Sequence, residues 1–164
     1  MVGHAIYLRL WILNVGNATA INAEVYAKDL FRKRADGQWE RVTQFPPMNL
    51  NWANGFGIYF PSIAPAMGKH CDFGHITDPE GRGAVGEYAP KLGLAKEVCS
   101  LAFDLKERPN HKGHIIGPGE YKLEILVAAQ NAAPIACTIK VSLNGKWDAD
   151  ESRMLRDNVG VTVE

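Results

Sequence analysis

No run of this sequence comes near the roughly 20 consecutive apolar residues that cross a bilayer, so no membrane-spanning helix is expected. The start also lacks a basic region, an apolar region and a small-residue cleavage site in series, and an ordered-looking segment opens at His4. The cytosol is therefore the expected location. Net charge is missing too. Eighteen Lys and Arg balance eighteen Asp and Glu, leaving no global field to draw in nucleic acid or an anionic membrane. The basic run Arg32-Lys33-Arg34 is answered by Asp36 and Glu40 and reads as a solvated strand end. Cysteine is scarce: three thiols cannot all pair within one chain. Cys99 and Cys137 each fall on the apolar side of an alternating stretch. Buried reduced thiols are expected there, with a Cys99–Cys137 bridge as the alternative.

The motifs that announce chemistry are absent as well. There is no G-x-S-x-G elbow, no C-x-x-C, no H-E-x-x-H, and "GRGAVG" lacks the Lys-Ser/Thr of a phosphate-binding loop. No cofactor is expected. Asp72, Asp78, Glu80 and Glu87 supply oxygen ligands but not the D-x-D-x-D-G spacing of a calcium loop.

What is present is a period of two. Ile6, Leu8, Leu10 and Ile12 alternate with Tyr7, Arg9, Trp11 and Leu13, the pattern of a half-buried strand. Ala23, Val25 and Ala27 repeat it against Glu24, Tyr26 and Lys28. Asp36-Gly37 between extended runs is a hairpin signal. "FPPMNLNW" cannot be a central strand, because Pro46 and Pro47 remove ladder donors. "VCSLAFDLK", "EYKLEILVAA" and "IACTIKVSLN" are three further alternating strands, and "VGVTV" closes the chain as an edge strand. Asp148 with Glu151 three residues on predicts a capped helix over "SRMLRD". Residues 77–96, with four glycines and two prolines, form a long excursion of the kind that is functional or mobile. The expectation is an all-β, immunoglobulin-like antiparallel β-sandwich of seven to nine strands with one short C-terminal helix, occupying 1–164 as a single domain.

"LRLWILNVGNATAINAEVYAKDL" resembles the opening strands of bacterial immunoglobulin-like domains such as the cell-adhesion-related CARDB group. "GPGEYKLEILVAAQNA" is similar to their late strand pair. The resemblance implies that Tyr121 is a corner tyrosine, its hydroxyl bonded to nearby backbone. The order of these stretches with "FPPMNLNW", "HCDFGHI" and "GKW…DESRML" also resembles a family of uncharacterised bacterial domains that often follow N-terminal membrane helices. That resemblance implies possible membrane tethering in longer versions and no particular activity.

"KHCDFGHI" is the one stretch with metal-ligating residue types close together. His70 and His75 there, with His111 and His114 of "NHKGH", are four of the five histidines and the candidate metal set. On a regular strand, however, His70 and His75 point to opposite faces, and only a bulge, at Gly74 for example, brings them together. Cys71 and Phe73 then form a core pair with His75 behind them on the same face. A Cys71 thiolate paired with His70 or His75 is disfavoured because alternation holds those side chains apart. The remaining candidates are aromatic. Trp11, Trp39, Trp52 and Tyr59 are the partner-contact set, weighed against Trp52 and Trp147 plugging the sandwich ends. Three functions follow in order: a non-catalytic interaction domain with a protein partner or self-association, a metal-binding protein using the four histidines, and a carbohydrate-binding module built on tryptophan.

Overall fold

The computed structural model describes residues 4–55 and 57–164. Alternation builds the first strands as the pattern predicts. In β1 (Ala5–Leu13) Ile6, Leu8 and Leu10 are buried while Tyr7 and Trp11 face outward. In β2 (Ala20–Lys33) Ala23, Val25 and Ala27 are buried, and an unmatched residue at Lys28 hands the buried position on to Leu30. Asp36-Gly37 turns the chain into β3 (Trp39–Arg41), with Gly37 at φ +84° and the Arg34 amide donating to the Gln38 carbonyl at 2.7 Å. The segment after Pro46-Pro47 passes the chain between layers. β4 (Met48–Asn49) adds to β2, and β5 (Asn51–Trp52) adds to β7 (Gly68–Thr77), the antiparallel partner of β1. Between them in sequence, β6 (Phe60–Ile63) pairs with the start of β2.

After residues 78–100 come β8 (Leu101–Phe103), β9 (Ile115–Ile116), β10 (Gly119–Ala129), β11 (Ala132–Leu143) and β12 (Val159–Val163). One sheet has the order β1-β7-β8-β9, with β5 also on β7. The other has the order β12-β11-β10-β2-β3, with β4 and β6 also on β2. All described pairs are antiparallel, and one core joins both sheets through Leu8, Val25, Leu30, Phe73, Phe103, Leu123 and Ile139. The molecule is an all-β sandwich. Its strands outnumber the expected set because short pieces such as β4, β5 and β9 are separate ladders of two residues each. Among the described residues no helix is long and apolar enough to cross a membrane. All three cysteines are free.

Two local expectations need adjusting. The C-terminal helix exists as α1 (Glu151–Arg153), which widens into a π turn over Met154–Asn158 that buries Met154. Its cap is Asp150, whose Oδ1 accepts from the Arg153 amide at 2.9 Å. Asp148 is not the cap because its carboxylate accepts instead from the Asp150 amide and grips the Arg153 guanidinium. Tyr121 is buried and donates from its hydroxyl to the Gly117 carbonyl at 3.0 Å. Tyr121→Phe is expected to cost about 1 kcal/mol, because the bond is lost and a buried carbonyl is stranded. Urea unfolding of both proteins, with an unchanged slope, measures that difference.

The excursion that follows β7 is a third layer. The ladder pairs Tyr7 with His75, His75 with Ala102, and Ala102 with Ile115, so these side chains share the face of the first sheet that points away from the core. Yet His75, Thr77, Ala102 and Ile115 are all buried. Residues 78–100 and 104–114 lie over them.

Candidate functional site

A β-bulge creates the site. β1 and β7 run in step from Ala5↔Thr77 to Leu8↔Gly74, then resume at Arg9↔Asp72, which leaves Phe73 unmatched. The extra residue turns every side chain on its C-terminal side to the other face. Cys71 and Phe73 stay in the core, but His75 does not follow them. It faces outward with Thr77, beneath the excursion. A backbone-carbonyl partner, ordinary for a buried imidazole, is not what it meets. His75 Nδ1 lies 2.7 Å from Asp104 Oδ1, and its Nε2 is hydrogen-bonded to Glu87 Oε1. The second oxygen of Glu87 accepts from Thr77 Oγ1 at 2.8 Å. The Tyr7 ring packs at 5.3 Å from the imidazole.

Only the imidazolium carries a proton on each ring nitrogen, and here each nitrogen faces a carboxylate oxygen. Burial pushes the His75 pKa down, but the hydrogen bonds and charges of Asp104 and Glu87 outweigh it and carry the value up to about 9. Burial likewise pushes Glu87 up, and the bond and charge of His75 outweigh that and hold its carboxyl below the usual range. Neighbouring His114 goes the other way. Burial, then Arg108 and Lys112, push it down to about 4, so it is neutral at neutral pH. Asp104 Oδ2 and His114 Nδ1 are buried without hydrogen-bond partners among the described residues.

The cluster fastens the excursion. Glu87 belongs to the excursion, His75 and Thr77 to β7, and Asp104 to the chain leaving β8. The excursion is also braced within itself, where the buried Arg82 guanidinium donates to the carbonyls of Val98, Ala95 and Lys96, and from the 104–114 loop, where Lys112 Nζ donates to the Gly86 carbonyl at 2.7 Å. The excursion, expected to be functional or mobile, is thus fastened to β7 through Glu87. Chemically the arrangement is closed. With both ring nitrogens occupied, His75 has none left to exchange a proton with a substrate.

The candidate histidines are not brought together as ligands. The bulge does place His70 and His75 on one face, but their partners Trp11 and Tyr7 are four residues apart on β1, about 13 Å along the strand. His70 is exposed and meets the Trp11 ring edge-on at 4.7 Å. His111 is exposed and accepts from the Gly113 amide at Nδ1. Among the described residues no group of three or more His, Cys, Asp or Glu is placed to hold a metal ion. The Cys71 thiol is pushed up by burial, which keeps it protonated beside these histidines.

The aromatic candidates divide. Trp52 is buried, its Nε1 donating to the Ile58 carbonyl at 3.1 Å and its ring edge-on to Phe60, so no partner reaches it. The Trp39 ring is covered by Lys122 Nζ at 4.3 Å. Tyr59 is exposed. Trp11 is 56% exposed and lies over Gly68, where a Cβ would collide with the indole. Two residues on, Leu13 enters an apolar groove at the end of the sandwich. The groove is about 210 Å³ in volume, and Leu13, Val15, Ile63, Val127 and Ile135 are among its lining residues. Among the described residues no charged one lines it, while Val15 is 84% and Ile135 65% exposed at its rim.

Sequence reasoning missed the clasp partners Asp104 and Thr77, and considered Glu87 only as a calcium ligand. A signal existed: Ser100 and Ala102 alternate with Cys99, Leu101 and Phe103, and small uncharged residues on an outward face suit a face that another layer covers. No protein-family model, curated protein or solved structure matches the chain.

Proposed function

We propose that this chain is a non-catalytic interaction domain that holds a protein partner through the apolar groove at its Val15–Ile135 end. The observation that carries the reading is the groove itself, an uncharged cleft between the ends of β1, β2, β10 and β11 whose largest rim side chains stand in water. Exposed contiguous apolar surface of this kind marks contact sites more often than it marks chance. The uncharged lining selects an apolar side chain or short apolar segment of the partner, and Trp11 and Leu13 extend the contact along β1. The closed state of the His75 cluster supports the non-catalytic part, since its strongly perturbed ionisable groups serve to fasten a loop. The immunoglobulin-like character suggested by the opening strands belongs to the same proposal, supported by the Tyr121 corner bond.

The test compares the protein with Val15→Glu/Ile135→Glu. Both positions are exposed, so stability should change little. A partner captured by the parent and then purified is expected to bind the double variant at least about tenfold more weakly, because a charge is driven into an uncharged cleft. Equal affinity for parent and variant in titration calorimetry sinks the groove as the contact site.

A further inference from the structure

The second sheet ends in a strand whose outer edge is prepared for another strand. Thr138 and Glu164 exchange both backbone hydrogen bonds, at 3.1 and 2.8 Å. Counting back in twos along the β11–β12 register, Thr162 and Gly160 also face β11, which leaves the N–H and C=O groups of Val159, Val161 and Val163 pointing away from the sheet. Among the described residues β12 pairs with β11 alone and is the end of its sheet.

Edge strands in single-chain proteins carry devices that keep other strands away: a proline, a charge, a bulge, or very short length. The other edge of this sheet, β3, is three residues long and carries Glu40 and Arg41. Beyond the end of β12, β11 itself carries Pro134. β12 has none of these over Val159–Val163, and its register with β11 is unbroken. Its valines are paired with Leu143, Val141 and Ile139 and continue the apolar row of the core-facing side. None of the described residues completes that row at the edge, where Val161 is 36% and Val163 58% exposed.

We propose that β12 pairs antiparallel with β12 of a second copy of this chain, about a two-fold axis at Val161. This register matches the free groups to one another. Val161 faces its own counterpart and Val159 faces Val163 of the second copy, giving about six backbone hydrogen bonds. The six valines of the two strands then form one apolar strip. Gly160 lies opposite Thr162, and Glu164 lies opposite the neutral Asn158, so no like charges meet across the axis. The pairing is isologous and closes at two copies, joining two seven-stranded sheets into one. It is independent of the groove, which lies at the Val15–Ile135 end.

A strand of five residues gives a contact at the small end of specific interfaces, so the dimer is concentration-dependent. Sedimentation equilibrium from about 10 µM to about 1 mM should show the weight-average mass rising from one chain toward two. Val161→Pro removes an N–H that β11 does not use and places a ring on the free edge. It should hold the mass at one chain throughout, with the thermal midpoint little changed. Val163→Lys adds an edge charge at an exposed position and should do the same, and it decides the matter if the proline variant folds poorly. A parent protein that stays monomeric at the highest concentration overturns the proposal. So does a dimer that survives both substitutions, and a dimer lost on Val15→Glu/Ile135→Glu would move the contact to the groove.

Discussion

Replacing His75 by alanine is expected to remove about 3–5 kcal/mol of stability, the largest single-residue effect outside the apolar core. The reason is what stays behind. Asp104 and Glu87 lose the cation between them but remain covered by the excursion, and Asp104 already has one buried oxygen without a partner. For a chain of this size the loss lowers the thermal midpoint by about 10 °C or more. The pH dependence separates this mechanism from simple loss of packing. Two buried carboxylates without a counterion are easier to bury protonated, so the variant's deficit against the parent should shrink as the pH is lowered from 7 toward 5. Thermal melts of parent and variant across that range measure it. A His75→Ala protein whose deficit is the same at pH 5 and pH 7 refutes the charge argument.

The sheets were legible because alternation is a local property. Ile6-Leu8-Leu10 and Ala23-Val25-Ala27 are buried as their spacing requires, and Asp36-Gly37 turns where a residue with positive φ is needed. The bulges were not legible. A single unmatched residue is a property of two strands at once, and nothing in "HCDFGHIT" distinguishes Phe73 from Gly74 as the residue without a partner. Since the period of a strand is two, that one residue decides which side of the sheet His75 occupies. Core histidine and clasp histidine are thus the same sequence read in two registers.

The clasp was illegible for a second reason. Its four side chains come from positions 75, 77, 87 and 104, and they converge only because the excursion folds back over the sheet. Residues 77–96 contain no periodic pattern that forecasts a covering layer. The excursion is held by individual polar contacts, from Glu87, Arg82 and Lys112, more than by a continuous apolar face. Contacts of that kind leave little trace in hydrophobic patterning, which is why length and glycine content alone suggested a segment that is functional or mobile. The groove was illegible for the opposite reason: Leu13, Val15 and Ile135 look like ordinary strand residues until the two strand ends are seen side by side.

The clasp also sets a pH window for the folded excursion. His75 has a folded pKa of about 9 against an ordinary value of 6.5, so its contribution is complete below about pH 6.5 and disappears as the pH rises through 9. Glu87 is shifted the other way. Its contribution is complete above the ordinary carboxylate value of 4.5 and is lost as the pH falls through its lower folded value. The groups facing the imidazole are Asp104 after β8, Glu87 in the excursion, Thr77 on its own strand and Tyr7 on β1, with His114 and Arg108 on the loop behind. Of these, His114 stays neutral in the folded protein down to about pH 4 but charges in the unfolded chain below its ordinary 6.5, so it costs stability progressively as the pH falls from 6.5 toward 4. The thermal midpoint is therefore expected to peak near pH 6.5, to fall on the acid side as His114 and then Glu87 lose their contributions, and to decline steadily from about pH 7 to 9.5. In limited proteolysis the first cuts at the alkaline end should fall between Asp78 and Val98, since opening the clasp frees that segment while the two sheets keep their own ladders. His75→Gln abolishes the decline between about pH 7 and 8.5, because glutamine does not titrate, while the losses above that from the buried Cys71 and Cys99 thiols, both raised by burial, remain. Identical profiles between about pH 7 and 8.5 for parent and His75→Gln would assign the pH dependence to another group.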